Sequence, residues 1–343
     1  MEFRPRLMAT TLSGMPHRDV EEACQLMLRN FPEAPSPPTL TRSLRMWLGG
    51  MPCLILDRQK RQVFFDLSSG RESELVEFYE RYLSEDLDYF AISPESNPGF
   101  YKLVQMLREG ASPELKLINI TPPGPYTFGE VVKDESGNTA FYNDTMRDVV
   151  VKILIMKVRW LERKVKELLP GIRTMVCIGN GGLGAYSSAG GVGTWDIIKN
   201  AYNELIEGVE GITGIHCCAN MEWPLLMETN TDAINFDAYQ YGSTMSLYPG
   251  ELKKFLERGG MIAWGIVPTT PGDIEGESPG SLVERLEQAI QLLVDKGIDR
   301  KMLLELSMIT PSCQTITMSV ELAERAFNFT REVSQRMREK YFG

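Results

Sequence analysis

Short apolar runs alternate with amphipathic stretches along nearly the whole chain. Parallel sheets that are buried on both faces produce this pattern, because each strand reads as a continuous apolar run and each crossover as a helix. Eight such runs predict strands, namely Leu7–Ser13, Asp88–Ser93, Leu115–Thr121, Arg173–Ile178, Thr213–Cys218, Ala233–Asp237, Met261–Val267 and Met302–Met308. Eight strands with intervening helices predict an α/β fold of the (β/α)8 TIM-barrel type.

Helical periodicity fills most of the intervals between these runs. The clearest patterns are Asp19–Asn30, Pro98–Glu109, Asn143–Leu169, Thr194–Glu207, Pro249–Arg258, Ser281–Lys296 and Ser319 to about Lys340. Met51–Asp66 departs from this rhythm and predicts a β-hairpin inserted after the first helix. Pro32–Pro38 is interpreted as the loop leading to the hairpin, since proline sustains neither a helix nor a ladder. Proline and glycine are spread among the loops, so we expect residues 1–343 to form a single barrel domain.

The charge balance restricts the class of partner. The 343 residues include 36 Lys and Arg against 46 Asp and Glu, a formal net charge of −10. Binding to nucleic acid or to anionic lipid requires a basic face that neutralises phosphates. We therefore expect neither a nucleic-acid nor a membrane partner, and a small-molecule substrate becomes the default.

The sequence also predicts a cytoplasmic location. The segment Met1–Pro16 lacks the basic and apolar regions of a signal peptide. The longest uncharged stretch, Thr174–Trp195, contains too many glycines and hydroxyl residues to span a bilayer. The six cysteines show no framework spacing, which indicates reduced thiols in a chain of this length.

The residues best suited to chemistry follow the fifth predicted strand. Side chains alternate between the two faces of a strand, so His216 and Cys218 point the same way and Cys217 points to the opposite face. An imidazole and a thiolate on one face are two of the four nitrogen, sulfur or oxygen ligands that zinc prefers. Catalytic residues of barrels lie at the carboxyl ends of the strands, where this pair is expected.

Two further ligands are available at neighbouring strand ends. Asp237 ends the sixth predicted strand, and Cys313 follows the eighth. Together with His216 and Cys218 they would make a zinc site in one mouth of the barrel. The alternative at this level is a hydrogen-bonded core histidine, two buried cysteines and an aspartate that caps a helix.

The runs that contain these residues resemble the zinc-dependent catalytic barrel of cobalamin-independent methionine synthases. They are GIHCCANMEWPLLMETNTDAINFDAY, WGIVPT, TPSCQTITMSVELAERAFNFTREV and the opening TTLSGMPHRDVEEA. Matching segments reach from about residue 7 to residue 337, so the resemblance covers most of the chain. The resemblance is to short members of the uroporphyrinogen decarboxylase and methionine synthase-like superfamily, which lack an N-terminal folate half. It implies zinc ligands at His216, Cys218, Asp237 and Cys313, with Asp in place of the family's Glu.

The chemistry implied by this resemblance is the methylation of a thiol, homocysteine becoming methionine in methionine biosynthesis. Zinc stabilises the thiolate of a bound thiol, which then attacks a methyl group, and no protein general base is required. For a short relative the implied methyl donor is methylcobalamin or a corrinoid protein.

Several positions depart from the family pattern or extend it. The family's Asp-Glu-Pro acid, which binds the amino group of homocysteine, is replaced by the run Gly179–Gly184, and its Gly-Ser turn on the first strand reads Ser13-Gly14. Thr127 belongs to a loop similar to the family's Gly-Pro-x-Thr loop, although a proline-stiffened turn explains the same sequence. His17 follows the first strand, where it either contacts substrate or is only solvated.

The run GNGGLG also matches the dinucleotide pattern G-x-G-x-x-G. It follows the fourth strand instead of the first, and no ribose-binding acid ends the next strand, which argues against nicotinamide binding. The remaining interpretations are a flexible loop and a lid over the barrel mouth, in which Asn180 and Tyr186 would face substrate.

The sequence thus predicts a zinc-dependent thiol methyltransferase that uses Ser13, Gly14, His17, Thr127, Asn180 and Tyr186 around the substrate. The alternative is a related barrel that binds zinc without catalysis and serves as a binding or corrinoid-partner protein, which the missing acid favours. A decarboxylase of the uroporphyrinogen type ranks lower, because no arginine cluster appears at the strand ends.

Overall fold

Seven parallel strands form the central sheet of the protein. A computed structural model describes residues 3–40, 44–57, 62–68, 70–183 and 195–343. In chain order the strands are β1 (Met8–Ala9), β2 (Leu54–Asp57), β3 (Gln62–Phe65), β4 (Leu117–Ile120), β5 (Arg173–Gly179), β6 (Ile212–Cys217), β7 (Ala233–Phe236), β8 (Met261–Val267) and β9 (Ser307–Pro311). The order across the sheet is β1-β9-β8-β7-β6-β5-β4, whereas β2 and β3 form a separate antiparallel pair. The predicted class, a parallel α/β sheet, is confirmed.

Helices connect the strands and cover the sheet. They are α1 (Val20–Asn30), α2 (Arg45–Leu48), α3 (Glu72–Leu83), α4 (Pro98–Arg108), α5 (Pro125–Val131), α6 (Asp144–Leu168), α7 (Trp195–Glu207), α8 (Trp223–Met227), α9 (Ala238–Tyr241), α10 (Pro249–Glu257), α11 (Pro271–Glu275), α12 (Pro279–Asp295), α13 (Arg300–Glu305) and α14 (Val320–Phe342), with short 3-10 turns at Ala140–Tyr142 and Thr244–Leu247. Every residue of β6, β7 and β8 is buried, as strands covered on both faces require. Within the described residues, no helix is both long and apolar enough to cross a membrane.

The sheet curls so that its two edge strands approach each other without pairing. The Asn119 side chain, in the edge strand β4, donates to Thr10 Oγ1 at 3.3 Å and to the carbonyl of Thr11 at 3.0 Å, just beyond β1. The proline-rich segment lies alongside both edges. The Leu117 amide donates to Glu33 O at 3.1 Å, and the Thr10 hydroxyl donates to Ala34 O at 2.7 Å.

The predicted second strand is therefore wrong, and the segment interpreted as a loop lies at the gap between the edges. Asp88–Ser93 contains turns and no strand. Its apolar residues Phe90 and Ile92 are buried all the same, which explains the strand-like pattern. Pro32–Pro38 cannot donate along a ladder at its prolines, but its carbonyls accept from β4, so it occupies the gap without becoming a regular strand.

The last predicted strand is displaced along the chain. Met302–Met308 is divided between α13 and the start of β9, because Asp299 caps the helix by accepting from the Met302 amide at 2.6 Å. β9 consequently ends at Pro311, two residues before Cys313. The first strand is shorter than predicted, with only Met8 and Ala9 in the ladder.

The segment predicted to form a hairpin contains the antiparallel pair β2 and β3, in which Leu54 lies opposite Phe65. Its turn, residues 58–61, lies outside the described residues. The Phe65 amide donates to Lys133 O at 2.9 Å, so the pair is joined to the chain that follows α5.

Lys157, in the middle of α6, is a buried cation. Its side chain is 1% exposed, and Nζ donates to the Phe90 carbonyl at 3.3 Å. Burial lowers the pKa of this ammonium from 10.5 to about 8, because removal from water disfavours the charged form.

Replacing Lys157 by methionine is expected to increase the free energy of unfolding at pH 7 by about 1–2 kcal/mol, because the variant no longer buries a charge. Between pH 8 and 10.5 the unfolded wild-type chain holds the lysine proton and the folded chain releases it, so wild-type stability rises with pH relative to the variant. Urea denaturation across this range measures the difference. Lys166→Met, at an exposed position of α6, is the control, and parallel curves for wild type and Lys157→Met would contradict the argument.

Candidate metal centre

The carboxyl ends of the strands surround a cavity of about 670 Å³. Its wall includes residues that follow β1, β4, β5, β6, β7 and β9, which is the end of a parallel sheet where α/β proteins bind ligands. The wall includes apolar side chains, among them Leu44, Trp47, Phe100 and Leu161. It also includes the residues that the sequence predicts for metal binding.

Three of the four predicted metal ligands converge in this cavity. One ligand atom each from His216, Cys218 and Cys313 lies within 4.8 Å of the other two. His216 and Cys218 lie at the end of β6, and Cys313 approaches from the loop after β9. Cys217 points away from the cluster, as strand alternation predicts, and its thiol contacts the carbonyl of Ala219 at 3.7 Å.

A fixed hydrogen-bond network orients the His216 ring. The Asn235 amide nitrogen donates to Thr310 Oγ1 at 2.7 Å and to Ala263 O at 3.4 Å, so the amide oxygen faces His216. That oxygen accepts from His216 Nδ1, which must therefore carry the proton. Nε2 is buried and has no hydrogen-bond partner among the described residues, the arrangement found where a histidine binds metal.

Without a bound metal, the interaction between the two thiols shifts their pKa values in opposite directions. The hydrogen bond from the Cys313 thiol, together with the contact to His216, lowers the pKa of Cys218. The same interaction with the Cys218 thiolate, together with burial, raises the pKa of Cys313. A cation at this position would favour the thiolate form of both.

Asp237 lines the same cavity but has a second role. It follows β7 and precedes α9, and its side chain accepts from the Gln240 amide at 2.9 Å as a helix cap. Burial raises the pKa of the Asp237 carboxyl group to about 6, because the surroundings stabilise the charged form less than water does. Asp237 is not part of the cluster within 4.8 Å, and its function as the fourth ligand stays a prediction.

Of the residues predicted around a substrate, Ser13, Gly14, Thr127 and Asn180 line the cavity. Gly14 lets its backbone pack closely against the Gln314 side chain, because a Cβ there would lie 2.4 Å from Gln314 Oε1. Tyr186 lies outside the described residues.

His17 differs from the prediction. It is not among the residues that line the cavity, and its buried ring faces α14, with Nε2 3.6 Å from Glu324 Oε1.

Asn235 and Gln314 were not predicted from the sequence. Asn235 precedes Asp237 by two residues in a buried strand, so the alternation that selected His216 and Cys218 also selects Asn235. Gln314 follows Cys313 in a loop, where no periodic signal exists.

Comparisons with known proteins define the fold. No protein-family profile matches the sequence, and no curated protein matches it. A solved B12-independent methionine synthase from Shewanella sp. W3-18-1, in complex with selenomethionine, superposes with a TM-score of 0.57 over 97% of this chain and 98% of that chain, at 13% identity. This likeness shows a shared fold. A GH113 beta-1,4-mannanase aligns over 99% of both chains with 11% identity and a TM-score of 0.39, too low to support an argument.

Proposed function

We propose that this protein is a zinc-dependent thiol methyltransferase built as a single (β/α)8-type domain. The substrate is homocysteine or a related small thiol, and the donor is a methylcorrinoid, free or on a corrinoid protein. The observation that carries the proposal is the convergence of His216, Cys218 and Cys313 in a cavity at the carboxyl ends of the strands. The shared fold with a methionine synthase supports it.

The residues present fit zinc. A neutral imidazole with a free, buried Nε2 and two thiols supply a set of borderline and soft ligands that this ion prefers. Asp237 is the proposed fourth ligand. The proposed reaction requires neither a nucleic-acid-binding nor a membrane-binding surface. Zinc bound there would lower the pKa of a substrate thiol, so that a thiolate is present at neutral pH.

Residues of the protein would orient the metal ligand and surround the substrate. Asn235 holds the His216 ring in one tautomer, which keeps Nε2 available to the metal. The apolar lining residues, Trp47 and Phe100 among them, would limit the access of water to the nucleophile.

The second candidate is a barrel that binds zinc without catalysis. Asn180 favours it, because the residue after β5 offers a neutral amide where the related family has an acid for the amino group of homocysteine.

The test is methyl transfer from methylcobalamin to a panel of small thiols, homocysteine included, by zinc-loaded protein. We expect the absorbance of methylcobalamin to fall and the methyl thioether to form, and we expect the Cys313→Ala variant to show neither. Zinc binding without transfer to any thiol would instead support the non-catalytic barrel.

A further inference from the structure

We infer that the thiol accepted by this site carries no carboxylate, and that an uncharged hydrogen-bonding group of the substrate, an amide or a hydroxyl, binds to Asn180. This inference rests on the proposed function and narrows its substrate class. The inferred substrate is thus a thiol without charged groups, and not an amino acid such as homocysteine.

The charges of the cavity oppose a substrate carboxylate. Among the described residues that line it, Asp237 is the one acid and none is Lys or Arg. With zinc bound, Asp237 and the two cysteine thiolates would carry one negative charge more than the ion balances, and no Lys or Arg among the described lining residues would neutralise a carboxylate that loses its water there. The apolar part of the wall offers it no hydrogen bonds, but it suits a short methylene chain.

The Asn180 side chain can form hydrogen bonds with a neutral group of the substrate. Its side chain is 2% exposed and lines the cavity, and among the described residues neither its amide oxygen nor its amide nitrogen has a hydrogen-bond partner. Its backbone amide donates to His216 O at 3.0 Å, so the residue lies beside the metal cluster on the neighbouring strand. A buried amide without partners destabilises the protein, and a ligand that offers both a donor and an acceptor would recover that cost.

Asn180 is closely packed on one side. Its Oδ1 lies against Gly124, where a Cβ would be only 2.3 Å away, so a side chain at that position would displace the amide. Thr127 adds a second neutral group to the cavity wall, with a buried hydroxyl that has no partner among the described residues. Ser13 accepts hydrogen bonds from Thr39 and Thr121, so its own proton is free for an uncharged acceptor.

The experiment measures thiol binding to the cobalt(II)-substituted protein, whose absorption bands change when a thiolate joins the metal, and it needs no methyl donor. The two probes are 3-mercaptopropanamide and 3-mercaptopropionate, which have the same chain length and differ in charge. We expect the amide to bind at least about tenfold more tightly. Equal or tighter binding of 3-mercaptopropionate, or of homocysteine, would overturn the inference and leave thiol activation standing.

Variants assign the preference to Asn180. Asn180→Leu should weaken binding of the amide about tenfold and leave 1-propanethiol unchanged, because only a hydrogen-bonding partner is lost. Gln240→Leu removes the side-chain amide of another residue that lines the cavity and should leave the preference intact. If Asn180→Leu retained the full preference, the assignment to Asn180 would be wrong. If no thiol changed the cobalt spectrum, the proposed function itself would fail.

Discussion

Replacing Cys218 and Cys313 together by alanine is expected to reduce the zinc content from about one ion per chain to less than about a tenth. The two thiols supply two of the three ligand atoms that lie within 4.8 Å of one another, and His216 alone cannot hold the ion. Elemental analysis of protein loaded under reducing conditions and then desalted measures the change. Each single variant should lose most of the metal, because it leaves at most three of the four proposed ligands.

Cys217→Ala is the matched control for this prediction. Cys217 is adjacent to both His216 and Cys218 in sequence, is also buried, and points to the opposite face of β6. Its replacement should leave the zinc content unchanged. A wild-type protein that takes up no zinc, or a Cys217 variant that loses it as fully as Cys218→Ala, would refute the assignment of the ligands.

Replacing Gly99 by alanine is expected to destabilise the fold by about 2–3 kcal/mol. Gly99 is the second residue of α4, and a Cβ there would lie 1.9 Å from the carbonyl oxygen of Pro38. The contact is with backbone, so the proline-rich segment or the helix must move. Because that segment lies between the edges of the sheet, the cost should appear as a lower midpoint in urea denaturation.

Gly250→Ala tests whether the effect arises from this contact. Gly250 occupies the same position in α10, directly after Pro249, and a Cβ there would meet nothing within 4 Å. Alanine favours helix over glycine, so this variant should be neutral or stabilised by up to about 1 kcal/mol. Similar losses in the two variants would indicate a general effect of the Pro-Gly helix start and would contradict the packing argument.

The strands of the sheet were predictable where an apolar run coincided with a ladder. Leu115–Thr121, Arg173–Ile178, Thr213–Cys218, Ala233–Asp237 and Met261–Val267 agree with the structure to within about two residues at each end. The failures share a cause, since an apolar run reports burial and not pairing. The apolar residues of Asp88–Ser93 are buried in a segment of turns. The apolar stretch that begins at Met302 starts inside a helix, which Asp299 caps.

What the sequence alone determined is local. The buried parallel sheet follows from the apolar runs, and the shared face of His216 and Cys218 follows from strand alternation, because both depend on residues close together in the chain.

What depends on distant pairing was decided by the tertiary structure. The curl of the sheet and the end of β9 bring Cys313 to the other two ligands, and the packing of β7 against β8 and β9 sets which atom of Asn235 faces His216. The Pro32–Pro38 segment lies at the gap between the edge strands because carbonyls can accept there without a donating ladder. No local pattern encodes these contacts, since each is fixed by which elements become neighbours only after the chain has folded.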